Sequence, residues 1–112
     1  MEEEVGRNGG DTIFIYRKGN GGAFVSKSPA VLKRGGKLRI VNLTECPAEV
    51  EFPGGVTDPD SATITAHDDK LFDVTGAKGY YEYDVTLACG REGNVIRQQV
   101  EANSRPGAII DP

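Results

Sequence analysis

Tyr81, Tyr83, Val85 and Leu87 alternate without a break with Glu82, Asp84 and Thr86, inside the stretch GYYEYDVTLACG that runs from Gly79 to Gly90. A two-residue period puts one set of side chains on each face of an extended strand, so this segment belongs in a sheet with one buried side. The period recurs along the chain. Leu38 and Ile40 oppose Arg39 and Val41, Val50 and Phe52 oppose Glu49 and Glu51, and Ala62, Ile64 and Ala66 oppose Thr63 and Thr65. DTIFIY (11–16), AFVSKSPAVL (23–32), KLFDVT (70–75), NVIRQQVEA (94–102) and AIIDP (108–112) add further extended segments rich in β-branched and aromatic residues. No segment of useful length carries the helical period. Fifteen glycines and six prolines are spread through the chain as punctuation between these short elements. The pattern predicts an all-β domain of seven to nine strands, an antiparallel sandwich or small barrel.

At 112 residues the chain is sized for one core, so residues 11–112 are expected to form a single domain behind a flexible N-terminal tail, residues 1–10, that carries Glu2, Glu3 and Glu4. Net charge is −4, the sequence pI is about 5.0, and no basic block offers itself to a phosphate backbone, which argues against nucleic acid as a partner. No apolar run approaches the roughly 20 residues that a spanning helix needs. A soluble, acidic protein with no membrane partner is expected. The opening MEEEVGRNGG lacks the order of a secretory leader, so the expectation is a cytoplasmic chain or the mature form of an exported one.

Enzyme chemistry finds little to work with. His67 is the single histidine, Asp68 and Asp69 follow it, and there is no Gly-x-Ser-x-Gly elbow, so no nucleophile, base and orienting acid can be named. GNGG (19–22) and RGG (34–36) read as hairpin turns rather than phosphate cradles. Asp58 and Asp60 in TDPDS read as an Asp-Pro turn rather than a calcium site. NLT, residues 42–44, fits a glycosylation sequon, but Asn42 reads as a buried corner residue.

The order of features from Ser28 onward is similar to that of the cupredoxins, the blue-copper sandwich family that includes plastocyanin. SPAVLKRGGKLRIVN (28–42) resembles that family's proline-led strand, Gly turn and strand ending at a buried Asn. In NLTECPAEVEF (42–52), Asn42, Pro47, Val50 and Phe52 match the Asn, Pro, Val and Phe around its first copper histidine. In KGYYEYDVTLACG (78–90), Gly79, Tyr81 and Tyr83 match its Gly-x-Tyr-x-(Phe/Tyr)-x-Cys-x-x-His run. The resemblance spans about Ser28 to Ala102 and implies a Greek-key β-sandwich.

It also implies an altered metal site. The first ligand histidine falls at Ala48, the thiolate cysteine at Val85 and the second histidine at Ala88, and no methionine follows, Met1 being the only one. A blue-copper site needs two imidazoles and a thiolate, so the expectation is a scaffold with no type-1 copper and no cofactor. Cys46 lies two positions before Ala48 and Cys89 one after Ala88, so the resemblance puts both cysteines beside the vacated pocket. Three readings stay open there: two separate reduced thiols, a disulfide that pins two loops, or a two-thiolate Cu(I) site. His67 reads as a solvent-facing residue rather than a further ligand.

An immunoglobulin-like sandwich is the rival fold, on two cysteines some forty residues apart and a Gly-x-Tyr. It lacks the core tryptophan, and Tyr83 stands where its cysteine should follow Tyr81.

Three functions follow from different classes, none of them enzymatic. The first is a metal-free cupredoxin-like module that binds an unidentified protein or small ligand through an exposed apolar patch of Pro47, Ala48, Leu87 and Ala88. The second is a redox or Cu(I)-handling protein that uses Cys46 and Cys89. The third is a structural homo-oligomer assembled through a sheet edge, with AIIDP as the candidate edge.

Overall fold

The computed structural model describes residues 11–17, 23–91, 94–99 and 106–111. The acidic tail, the GNGG turn and most of the NSRPG segment fall outside them. In chain order the strands are β1 (Asp11–Arg17), β2 (Ala23–Val25), β3 (Ala30–Lys33), β4 (Lys37–Asn42), β5 (Ala48–Glu51) and β6 (Thr57–Asp58). They continue with β7 (Ser61–Ile64), β8 (Asp69–Val74), β9 (Gly79–Glu82), β10 (Asp84–Arg91), β11 (Asn94–Gln99) and β12 (Gly107–Asp111). The described residues are therefore all-β, with no helix, and none offers a helix long and apolar enough to cross a membrane.

Twelve strands replace the seven to nine expected. AFVSKSPAVL is cut at Ser26–Pro29 into β2 and β3, which join different sheets, because Pro29 has no N–H to give a ladder. The long alternating run from Gly79 is cut at Tyr83, so that β9 pairs with β12 while β10 pairs with β5 and β11. TDPDS, read as loop, contributes the short strand β6 against β8.

Three sheets result, with strand orders β2-β1-β4-β8-β6, β11-β10-β5-β7 and β3-β12-β9. Two pairings are parallel where an antiparallel arrangement was expected: β1 with β4, and β3 with β12. A parallel pair cannot be closed by a hairpin and needs a crossover. Here β2 and β3 intervene between β1 and β4, and the chain returns to β3 only with its last strand. The expectation that AIIDP is an edge is also corrected. β12 sits between β3 and β9 and is paired on both sides.

The buried faces of all three sheets meet in one apolar cluster. Phe52 stacks on Tyr83 with ring centroids 4.6 Å apart and meets Phe72 edge-on at 5.7 Å, tying aromatic residues from separate segments together. Tyr83 is fully buried, its hydroxyl has no hydrogen-bond partner among the described residues, and burial pushes its phenol well above the ordinary value. Between β3 and β4 the chain reverses at Gly35, whose φ of 87° lies where a side chain would be strained.

Candidate functional site

Burial alternates residue by residue from Lys37 to Phe52, straight through the loop that joins β4 to β5. Leu38, Ile40, Asn42, Thr44, Cys46, Ala48, Val50 and Phe52 all point inward. From Leu38 to Ile40 and from Ala48 to Phe52 the inward set is apolar, but at the end of β4 and in the loop it includes Asn42 and Thr44, and Leu43 points outward at 51% exposure. The period of an extended chain has persisted while its polarity has inverted. Buried amides and hydroxyls are tolerated only if they are paired.

They are paired here. The Asn42 side-chain amide donates to the carbonyls of Cys46 at 2.8 Å, Ile64 at 3.0 Å and Thr65 at 3.2 Å. Asn42 Oδ1 accepts from the Thr44 backbone N–H at 3.0 Å and from Thr44 Oγ1 at 2.7 Å. Thr44 Oγ1 in turn accepts from the Cys46 N–H at 3.2 Å. One asparagine thus closes the β4–β5 loop on itself and ties it to the end of β7. The backbone completes the clamp: the Leu43 N–H donates to Ile15 O of β1 at 2.9 Å, and the His67 N–H donates to Thr44 O at 3.2 Å. His67 adopts φ 59° in the turn between β7 and β8, and it is exposed. With its amide committed and the residue wholly buried, Asn42 is not displayed as a glycosylation acceptor.

Cys46 and Cys89 are joined by a disulfide, S–S 2.11 Å and Cα–Cα 5.0 Å, that bridges this loop to β10. Cys46 is 5% exposed, whereas Cys89 is half-buried against the core. Beside them the Ala88 N–H donates to Pro47 O at 2.9 Å, extending the β5–β10 ladder to the loop. Arg17, the last residue of β1, lays its guanidinium on the bridge, with Nη1 4.0 Å from Cys46 Sγ and 3.9 Å from Cys89 Sγ. Its Nε is buried and has no hydrogen-bond partner among the described residues.

No protein-family model matches this chain, and no curated protein does.

The residues marked out from the sequence fall into two groups. Ala48 and Leu87 are direct cross-strand partners, Val85 faces Val50, and Ala48, Val85 and Leu87 are all fully buried. Ala88 is half-buried and Pro47 is exposed. The expected exposed patch of Pro47, Ala48, Leu87 and Ala88 is therefore corrected. Two of its four members are core, because Ala48 and Leu87 lie within β5 and β10 and their inward parity carries both inside. The exposed apolar residue there is Leu43, which sequence reading passed over. Its signal was present: Leu43 has the same parity as Lys37, Arg39 and Glu45, all of which point outward.

The donor set does not fit copper. Ala48, Val85 and Ala88 carry no ligand atom, the two sulfurs are bonded to each other rather than available as thiolates, and His67 sits on a separate turn. Among the described residues no three His, Cys, Asp or Glu side chains converge on a common point.

Proposed function

We propose that this chain is a non-catalytic, metal-free module of cupredoxin-like, Greek-key topology that binds another protein through its disulfide-locked β4–β5 loop. The observation that carries the reading is the loop itself. Its inward side is fixed by the Asn42 and Thr44 hydrogen bonds and the Cys46–Cys89 bond, while its outward side carries Leu43, Glu45 and Pro47. A segment held in one conformation before binding loses little freedom on association, which favours its use as a recognition surface. An exposed row of side chains suits a protein partner better than a small ligand, which binds best in a concave enclosure.

The cupredoxin-like assignment draws support from connectivity. The chain passes repeatedly between the five-stranded sheet and the strands opposite it, and its two parallel pairings demand the long crossovers that a simple up-and-down meander lacks. The disulfide favours an oxidising compartment.

Metal analysis of protein purified without chelator, combined with a thiol count in denaturant, tests the metal-free reading. The expected result is no stoichiometric copper and no free thiol before reductant is added. Copper near about one per chain with thiolate-to-copper absorption overturns it. The surface is tested separately, since a Leu43→Asp, Pro47→Ser chain that keeps all its partner binding overturns the placement on this loop.

A further inference from the structure

Arg17 is badly placed for a purely structural residue. A guanidinium offers five N–H donors and always carries a charge, yet Nη1 lies against two neutral sulfurs, which are weak acceptors, and the buried Nε has no acceptor among the described residues. A buried donor left unpaired costs free energy in that state, and a state that gave the guanidinium an anionic partner would relieve the cost. That state is the reduced one. Opening the S–S bond creates a thiolate at Cys46 Sγ, which lies 4.0 Å from Arg17 Nη1, within the range over which an opposite charge favours the ionised form.

We propose that the Cys46–Cys89 bridge is a thiol–disulfide exchange site for a dithiol reductant, with Arg17 as the counter-ion of the leaving thiolate. The two sulfurs are not equivalent: Cys89 is half-buried and Cys46 is 5% exposed, so attack comes at Cys89. One thiolate of the dithiol attacks Cys89 Sγ, the Cys46–Cys89 bond breaks, and its electron pair leaves on Cys46 Sγ beside the guanidinium. The second thiol of the reductant loses its proton and attacks its own sulfur in the mixed disulfide, releasing Cys89 as a thiolate. The dithiol ends as a cyclic disulfide, oxidised by two electrons. The bridge ends as two cysteines, which take up the two protons according to pH. Since exchange quickens as the leaving thiol becomes more acidic, a cation beside Cys46 accelerates the first step.

The consequence reaches the binding loop. Cys46 N–H and C=O both belong to the Asn42–Thr44 network, so opening the bridge removes the covalent half of the clamp and leaves the hydrogen-bonded half.

The test is the rate of bridge reduction by dithiothreitol in native buffer at neutral pH, for the natural chain and for Arg17→Gln and Arg17→Lys. The natural chain is expected to be reduced about tenfold faster than Arg17→Gln, with Arg17→Lys between them and all three alike in denaturant. Equal rates in native buffer overturn the proposal. So does reduction that proceeds in every chain only as fast as global unfolding. A second readout needs no variant. In the reduced natural chain, thiolate absorbance is expected to appear at lower pH in the folded state than in denaturant, and coincident titrations overturn the proposal.

Discussion

The β4–β5 loop and the β5–β10 ladder lie end to end and share one alternation, yet they are held by different forces. In the ladder, Val50 faces Val85 and Ala48 faces Leu87, and each inward position is secured by apolar area and close packing. In the loop the same inward positions hold Asn42, Thr44 and Cys46, secured by hydrogen bonds and one covalent link. The ladder's stability is spread over many weak contacts, so no single side chain there dominates. The loop's stability is concentrated in a few directional bonds around Asn42, so one substitution can undo it. A recognition surface benefits from the second arrangement, because directional bonds fix a conformation that apolar packing alone leaves adaptable.

The sharpest way to break this comparison is Asn42→Ala. It removes the side-chain donor that the buried carbonyls of Cys46 and Ile64 share and strands the Thr44 N–H, leaving Cys46 O with its bond from Thr44 Oγ1, and a loss of about 3 kcal/mol in urea unfolding is expected. A loss under about 1 kcal/mol would mean that the loop is held by its backbone and the disulfide, and the contrast with the ladder would fall.

Val50→Ala probes the other side. It removes two buried methyl groups opposite Val85, and a loss of about 2 kcal/mol is expected, with no change in the exchange protection of the Thr44 and Cys46 amides. Loss of that protection would show the two regions to be one cooperative unit.

Tyr83→Phe has the smallest expected effect and the opposite sign. The buried hydroxyl has no partner among the described residues, so deleting it is expected to stabilise the protein by about 1 kcal/mol near neutral pH. The pH dependence sharpens the test. Burial raises the folded phenol above its ordinary value of 10.0, so the folded chain keeps this proton to higher pH than the unfolded chain does. The stability tied to that proton is complete below the ordinary value and is lost as pH rises above it. The advantage of Tyr83→Phe over the natural chain should therefore widen in urea unfolding above about pH 10. A constant difference across that range would show the hydroxyl to be solvated.

Much of the strand inventory was legible because parity is a local property. The inward sets Leu38/Ile40, Val50/Phe52 and Tyr81/Tyr83/Val85/Leu87 follow from alternation alone, and all of these residues are buried except Tyr81, which is half-buried against the core. The breaks were less legible. Whether Ser26–Pro29 bends one strand or divides two depends on which sheet captures each half, and that is decided by pairing with residues far away in sequence. The site divided in the same way. Cys46 and Cys89 could be named, but their bond required two segments 43 residues apart to meet at one end of the fold. Arg17 carried no sequence signal toward either cysteine, because β1 reaches them only through its parallel pairing with β4.

The sequence by itself determined an all-β chain and the inward face of its alternating strands. Both are matters of local period. Only the tertiary structure decided that Ala48 is core rather than surface and that the last strand is central rather than an edge. It also decided that the guanidinium of Arg17 lies on the disulfide. These depend on which distant segments pair and in what register, and a two-residue period specifies a face without specifying the neighbour that covers it.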